Sequence, residues 1–221
     1  MPSDEVEALK DGGWRELAAI DAALERGEID EEGWHRAVAA IIVPAYLAAD
    51  TPWGQSGKSG DEALWEEARR PIADAIDRDG AFLDVGCASG YLMESIVRWS
   101  PHRIEPYGLE IAPELAELAR RRLPRWADRI FVGNTLDWQA PRRFTYVRAN
   151  LDYVPRHRRL ELVERLLSFA ERLIVGVYNE ERGARPTEDL LRSFGLEPAG
   201  RSDYPHPTKA GIDYRVFWID G

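Results

Sequence analysis

The feature that most limits what this chain can fold into is a change of texture after Gly80. From there to the C-terminus short apolar runs alternate with helical stretches. The runs "AFLDV", "PYGLEI", "RIFVG", "FTYVRAN" and "RLIVGVY" read as strands, and the segments Tyr91 to Trp99, Pro113 to Leu123 and Arg156 to Ala170 carry helical periodicity. Strands alternating with helices imply parallel pairing through right-handed crossovers, so the sequence predicts an α/β fold built on an open, doubly wound sheet. Residues 196–219 break the pattern, because two strand-like runs joined by a Pro/Gly loop have no helix between them. An antiparallel hairpin at the sheet edge follows.

Before Gly80 the chain reads as helical. Val6, Leu9, Leu17, Ile20 and Leu24 share one helical face, and Gly27 ends that segment. A second helix starts near Glu31 and enters the apolar stretch 37–49, where Pro44 is expected to kink or interrupt it. That stretch is shorter than the ~20 residues a spanning helix needs. Ser59-Gly-Asp-Glu62 has the spacing of a capping box and predicts a third helix through Asp77. The division expected is a helical extension and lid loop over residues 1–59 and an α/β domain over 60–221.

Within the loop, Gly57-Lys58-Ser59 ends like a phosphate-binding P-loop. A P-loop also needs a glycine five residues earlier, where this chain has Pro52, and a strand before it. A nucleotide hydrolase is therefore set aside. With 29 Lys+Arg against 39 Asp+Glu, the net charge of −10 opposes a nucleic-acid partner. The single cysteine, Cys87, forms no internal disulfide. The N-terminus lacks the basic and apolar regions of a signal peptide, so a cytoplasmic location is expected.

In an open α/β sheet a ligand sits beyond the carboxyl ends of the strands. The first strand leads there through "FLDVGCASGYLMESI": Asp84, then Gly86-Cys87-Ala88-Ser89-Gly90, then a helix. A dinucleotide fingerprint would require glycines where Ala88 and Tyr91 stand. The stretch instead resembles motif I of the class I S-adenosylmethionine-dependent methyltransferases, an apolar strand followed by [DE]-x-G-x-G-x-G, with Ala88 at the middle glycine. Glu110 ends the next strand 20 residues after Gly90, at the distance where a carboxylate accepts from ribose hydroxyls.

This resemblance covers about three quarters of the chain and implies a seven-stranded sheet with its last strand antiparallel. It implies S-adenosyl-L-methionine as cofactor, held by Asp84, Gly86, Cys87, Ala88 and Gly90, by Glu110 and Ile111, by Asn134, Thr135 and Leu136 in "FVGNTLDW", and by Asn150. Asp137 is a substitute for Asn134, and Trp138 either stacks on the ring or packs in the core. The loop before the third helix is placed over the cofactor's carboxylate, with backbone N–H groups, Ser56, Ser59 or Lys58 to hold it. Catalytic candidates follow the fourth strand: Asp152, Tyr153 and His157, with His206 as an outsider; Tyr178 and Asn179, at the end of the fifth strand, are expected to line the pocket. Trp53 is the best substrate contact, Trp14 and Trp34 are packing residues, and Arg69 and Arg70 are solvated or reach an anion. The function implied is methyl transfer to a small-molecule acceptor by a monomer or homodimer, with no membrane or nucleic-acid partner and no metal. The alternative is a catalytically inactive S-adenosylmethionine-binding protein of the same fold.

Overall fold

The computed structural model describes residues 16–221; Val6, Leu9 and Trp14 lie outside that range. A seven-stranded sheet runs in the order β3-β2-β1-β4-β5-β7-β6. Its strands are β1 (Gly80–Val85), β2 (Ile104–Glu110), β3 (Ile130–Val132), β4 (Phe144–Ala149), β5 (Ala170–Glu181), β6 (Gly200–Pro205) and β7 (Ile212–Asp220). β1 to β5 pair in parallel, and β7 enters antiparallel between β5 and β6, as expected of the terminal hairpin.

Successive strand residues point to opposite faces, and the sheet is buried on both. Leu83, Val147 and Leu173 pack beneath one layer of helices, while their neighbours Phe82, Tyr146 and Ile174 pack beneath the other. That is why the central strands read as continuous apolar runs. The layers contain α4 (Tyr91–Trp99), α5 (Pro113–Arg122), α6 (Arg159–Leu167) and α7 (Pro186–Ser193). Proline occupies the first turn of both α5 and α7, where its fixed φ suits the helix and its missing N–H costs nothing. The sequence reading passed over α7, whose eight residues give the periodicity little room. The segment expected as one helix from Arg156 to Ala170 opens as a 3₁₀ turn over Arg156–Arg158, and Ala170 already begins β5.

Three helices precede the sheet: α1 over residues 16–25, α2 (Glu31–Leu47) and α3 (Glu62–Arg69). Gly27, at φ +71°, follows α1 as expected. Asp30 caps α2 by accepting from the Gly33 N–H at 2.7 Å. Pro44 does not interrupt α2, which runs three residues further to Leu47. The cap of α3 is Asp61, accepting from the Leu64 N–H at 2.9 Å, rather than Ser59. Pro71 then removes a donor, and the chain tightens into a 3₁₀ turn over Arg70–Ala75 instead of continuing as an α-helix to Asp77. No helix among the described residues is long and apolar enough to cross a membrane.

Candidate functional site

Strand register builds the site. Asp84 on β1 is level with Gly108 on β2 and with Arg148 on β4, and Glu110 stands two residues beyond Gly108 at the same rim. The turn after β1 needs left-handed backbone at Gly86 (φ +69°) and at Ala88 (φ +48°), the only non-glycine with positive φ among the described residues. Ala88 stands where the methyltransferase motif has its middle glycine. The cost lies in the backbone, since an L-residue pays about 1–2 kcal/mol to adopt this conformation.

Glu110 locks that turn. Its Oε2 accepts from the Ala88 N–H at 2.8 Å and its Oε1 from the Ala112 N–H at 3.0 Å. Burial raises its pKa, and these backbone donors pull the other way. Each oxygen keeps a second lone pair for a ligand.

Asp84, 2% exposed, meets Arg148 at 3.5 Å. Burial pushes its pKa up to about 7 despite the guanidinium. Arg148 also donates through Nε to the Gly176 carbonyl (2.8 Å), through Nη1 to the Tyr153 hydroxyl (2.9 Å) and through Nη2 to Asn150 Oδ1 (2.8 Å). The Tyr153 ring lies across Gly86: a Cβ there would stand 2.9 Å from its Cε2 and Cζ.

These groups line one cavity of about 250 Å³. Its floor is the rim of β1, β2 and β4, and its roof is α2, which contributes Trp34, His35, Val38, Ile42 and Tyr46. Val43 and Tyr46 pack on Ala88, Ala112 and Leu115, so the second helix covers the turn directly. Burial raises the Tyr46 pKa to about 12 and holds His35 below the usual histidine value, leaving that imidazole neutral near pH 7.

The Gly/Ser loop is fastened to the same turn. Ser56 Oγ lies 2.7 Å from Ser89 Oγ, and Ser89 Oγ is also 2.9 Å from the Pro52 carbonyl. Trp53 Nε1 donates to the Gly60 carbonyl and Lys58 Nζ to the Tyr214 hydroxyl. Gly57 takes φ +80° against Tyr46, whose hydroxyl lies 2.1 Å from where a Cβ would be.

Of the residues singled out in the sequence, the cavity wall gathers Ser56, Asp84, Gly86, Cys87, Ala88, Glu110, Ile111, Asn134, Thr135, Asn150, Asp152 and Tyr153. Gly90, Leu136 and Lys58 are not on that wall. Gly90 is instead the left-handed N-cap of α4. Asn134 Oδ1 accepts from the Leu136 N–H at 3.1 Å, which shapes its turn. Trp138 packs with Phe131, Phe144 and Phe169 in the core.

His157 is exposed and off the wall; with Arg158 it binds Glu31, clamping the start of α2 to the domain. Asp152 lies at the wall and pairs with Arg159. Tyr178 accepts from the Leu151 N–H at 2.6 Å and supports the turn after β4. Trp53, favoured as a substrate contact, is absent from the wall, whereas Trp34 and Trp65 are present.

Four wall residues were overlooked or undervalued: His35, Tyr46, Arg69 and Arg148. For Arg148 a signal existed, because an arginine inside an apolar central strand must find buried partners. The other three depend on how α2 and α3 lie across the sheet.

No protein-family model matches the chain, and no curated protein is similar to it in sequence. Solved structures are similar in fold. The Burkholderia thailandensis 1,6-didemethyltoxoflavin-N1-methyltransferase, solved with 1,6-didemethyltoxoflavin and S-adenosylhomocysteine, superposes with a TM-score of 0.63 at 19% identity, over 87% of this chain and 90% of that one. The N-methyltransferase NodS from Bradyrhizobium japonicum gives 0.55 at 15% identity, over 73% of this chain and 98% of that one. The cyclase SpnF gives 0.57 at 15% identity, over 74% of this chain and 83% of that one. The chain therefore has the Rossmann-like fold of S-adenosylmethionine-dependent methyltransferases.

Proposed function

We propose that this chain is an S-adenosylmethionine-dependent methyltransferase acting on a small-molecule acceptor. The observation that carries the reading is Glu110: a buried carboxylate at the end of β2 that fixes the glycine turn of β1 while facing a roofed cavity. Three features fit the cofactor. Glu110 retains lone pairs for two hydroxyls, Ile111 offers an exposed apolar face beside it, and the Gly86 turn brings its backbone to the cavity wall with the Tyr153 ring beside it. Asn134 and Thr135 would border the base, with Asp84 and Asn150 toward the methionine end and Ser56 at the cover.

S-adenosylmethionine supplies a methyl group on a positively charged sulfur, so the leaving group is already activated. What remains for the chain is alignment and exclusion of water. Residues 1–59 act in this reading as the cover of a 60–221 domain, with α2 as roof. Tyr153, its oxygen held by Arg148 and its pKa raised by burial, stays protonated and positions the acceptor as a donor. His35 is the neutral imidazole on the wall and takes a proton where the acceptor must lose one. Asp152, tied to Arg159, flanks the entrance, and His157 serves the clamp on α2.

Calorimetry with S-adenosylhomocysteine tests the assignment. Wild type binds, and Glu110→Ala weakens binding by roughly tenfold or more, the worth of a charge-assisted hydrogen bond. Unchanged affinity in the variant would remove the reading. A second reading, cofactor binding without methyl transfer, draws on the cyclase among proteins of this fold. Labelled methyl appearing on any acceptor would exclude it.

A further inference from the structure

The cavity wall carries two guanidiniums among the described residues, Arg148 from β4 and Arg69 from the last turn of α3. Arg148 has partners at every nitrogen. Arg69 does not. Its one hydrogen bond is a 3.4 Å contact with the carbonyl of its neighbour Ala68, and it makes no ion pair with any described residue. What holds it is the Trp65 ring, 5.1 Å from the guanidinium carbon to the ring centroid. Trp65 is itself buried and donates to Ser95 at 3.1 Å, so Arg69 stacks on a fixed plane.

A half-buried guanidinium presents up to five N–H donors in a rigid fork matched to a carboxylate. Leaving it beside a second arginine with no ion pair of its own is unfavourable, and burial together with the Arg148 charge holds its pKa below the usual arginine value. Asp84 on the same wall feels the Arg69 charge but is paired with Arg148 at 3.5 Å, and no acidic side chain among the described residues makes an ion pair with Arg69. The arrangement is balanced when a ligand brings the anion.

Position narrows which ligand. The ionisable groups coupled to Arg69 are Asp84, Arg148, Tyr153, Tyr46 and Tyr214. Tyr214 belongs to β7, on the opposite side of β4 from β2 and Glu110. Arg69 is thus coupled to groups on β1, β4 and β7 and not to Glu110 on β2, which sets it apart from the ribose carboxylate. The same cavity has an apolar roof of Trp34, Val38 and Ile42.

We propose that Arg69 anchors a carboxylate carried by the methyl acceptor, whose apolar body lies under α2. The acceptor class is then an aromatic or otherwise apolar carboxylic acid. This rests on the methyltransferase reading above, and the test separates the two.

The full chain is first titrated with S-adenosylhomocysteine; failure to bind there is a failure of the methyltransferase reading itself. The loaded protein is then titrated with benzoate, cinnamate and indole-3-acetate, each against its primary amide. Wild type is expected to prefer at least one carboxylate over its amide by roughly tenfold or more. Arg69→Gln abolishes that preference while leaving S-adenosylhomocysteine affinity within about twofold, which also shows that the variant is folded, and Arg69→Lys keeps part of the preference through its charge. The proposal is overturned if no carboxylate is preferred or if the preference survives in Arg69→Gln. It is also overturned if that variant loses S-adenosylhomocysteine binding by tenfold, since the guanidinium would then serve the cofactor's own carboxylate.

Discussion

Replacing Gly86 by alanine probes backbone and side chain at once. The residue sits at φ +69°, which costs an L-residue about 1–2 kcal/mol. Its new Cβ would stand 2.9 Å from two ring carbons of Tyr153 and 3.2 Å from the Tyr153 oxygen. The ring has to move, and with it the hydroxyl that receives Arg148 Nη1 at 2.9 Å. Losing a hydrogen bond to a charged group costs up to about 1.5–3 kcal/mol. The stiffer unfolded chain of alanine returns about 0.5–1 kcal/mol. Gly86→Ala should therefore lower stability by about 2–4 kcal/mol, read from urea unfolding at constant slope.

A double-mutant cycle isolates the steric part. Tyr153→Ala removes the ring, so in that background Gly86→Ala should cost only the backbone share. The coupling should be about 1.5–3 kcal/mol, the share lost with the ring, in the sense that the double variant is less destabilised than the sum. Tyr153→Phe keeps the ring and should keep the clash. Additivity of Gly86→Ala and Tyr153→Ala within about 0.5 kcal/mol would refute the contact.

Two further predictions concern charge and the sheet's lower edge. Asp84 titrates at about 7 when folded and near 3.9 in an unfolded chain, so the folded state holds its proton more tightly and stability is lost as pH rises from roughly 4 through 7. Asp84→Asn escapes that loss, and its melting temperature relative to wild type should climb across the same window; a gap independent of pH would contradict the buried carboxyl. The Tyr146 hydroxyl accepts from the N–H groups of Asp77 (3.1 Å) and Arg78 (3.0 Å) and donates to Asp77 Oδ1 (2.7 Å). Tyr146→Phe should cost about 1–3 kcal/mol in denaturant unfolding, and a loss under about 0.5 kcal/mol would show those donors satisfied elsewhere.

Much of the site was legible because it is local. Asp84, Gly86 and Ala88 follow one another on a strand and its turn, and Glu110 lies one crossover away, so a motif and a spacing place them together. The misreadings are short-range competitions. Asp61 outdoes Ser59 as a cap because its side chain, adjacent to the first helical residue, reaches the N–H of Leu64. Pro44 stays inside α2, whose underside packs on Ala88, Ala112 and Leu115.

By itself, then, the sequence determined the alternation of strands and helices, the antiparallel end and the acidic groups flanking the glycine turn, because hydrophobic period and backbone demands act between near neighbours. Only the tertiary structure decided that α2 roofs the cavity, that His157 faces Glu31 outside it, and that Arg69 and Arg148 share its interior. Those contacts join segments tens of residues apart, and the angle at which a helix crosses a sheet is set by packing that no local pattern encodes.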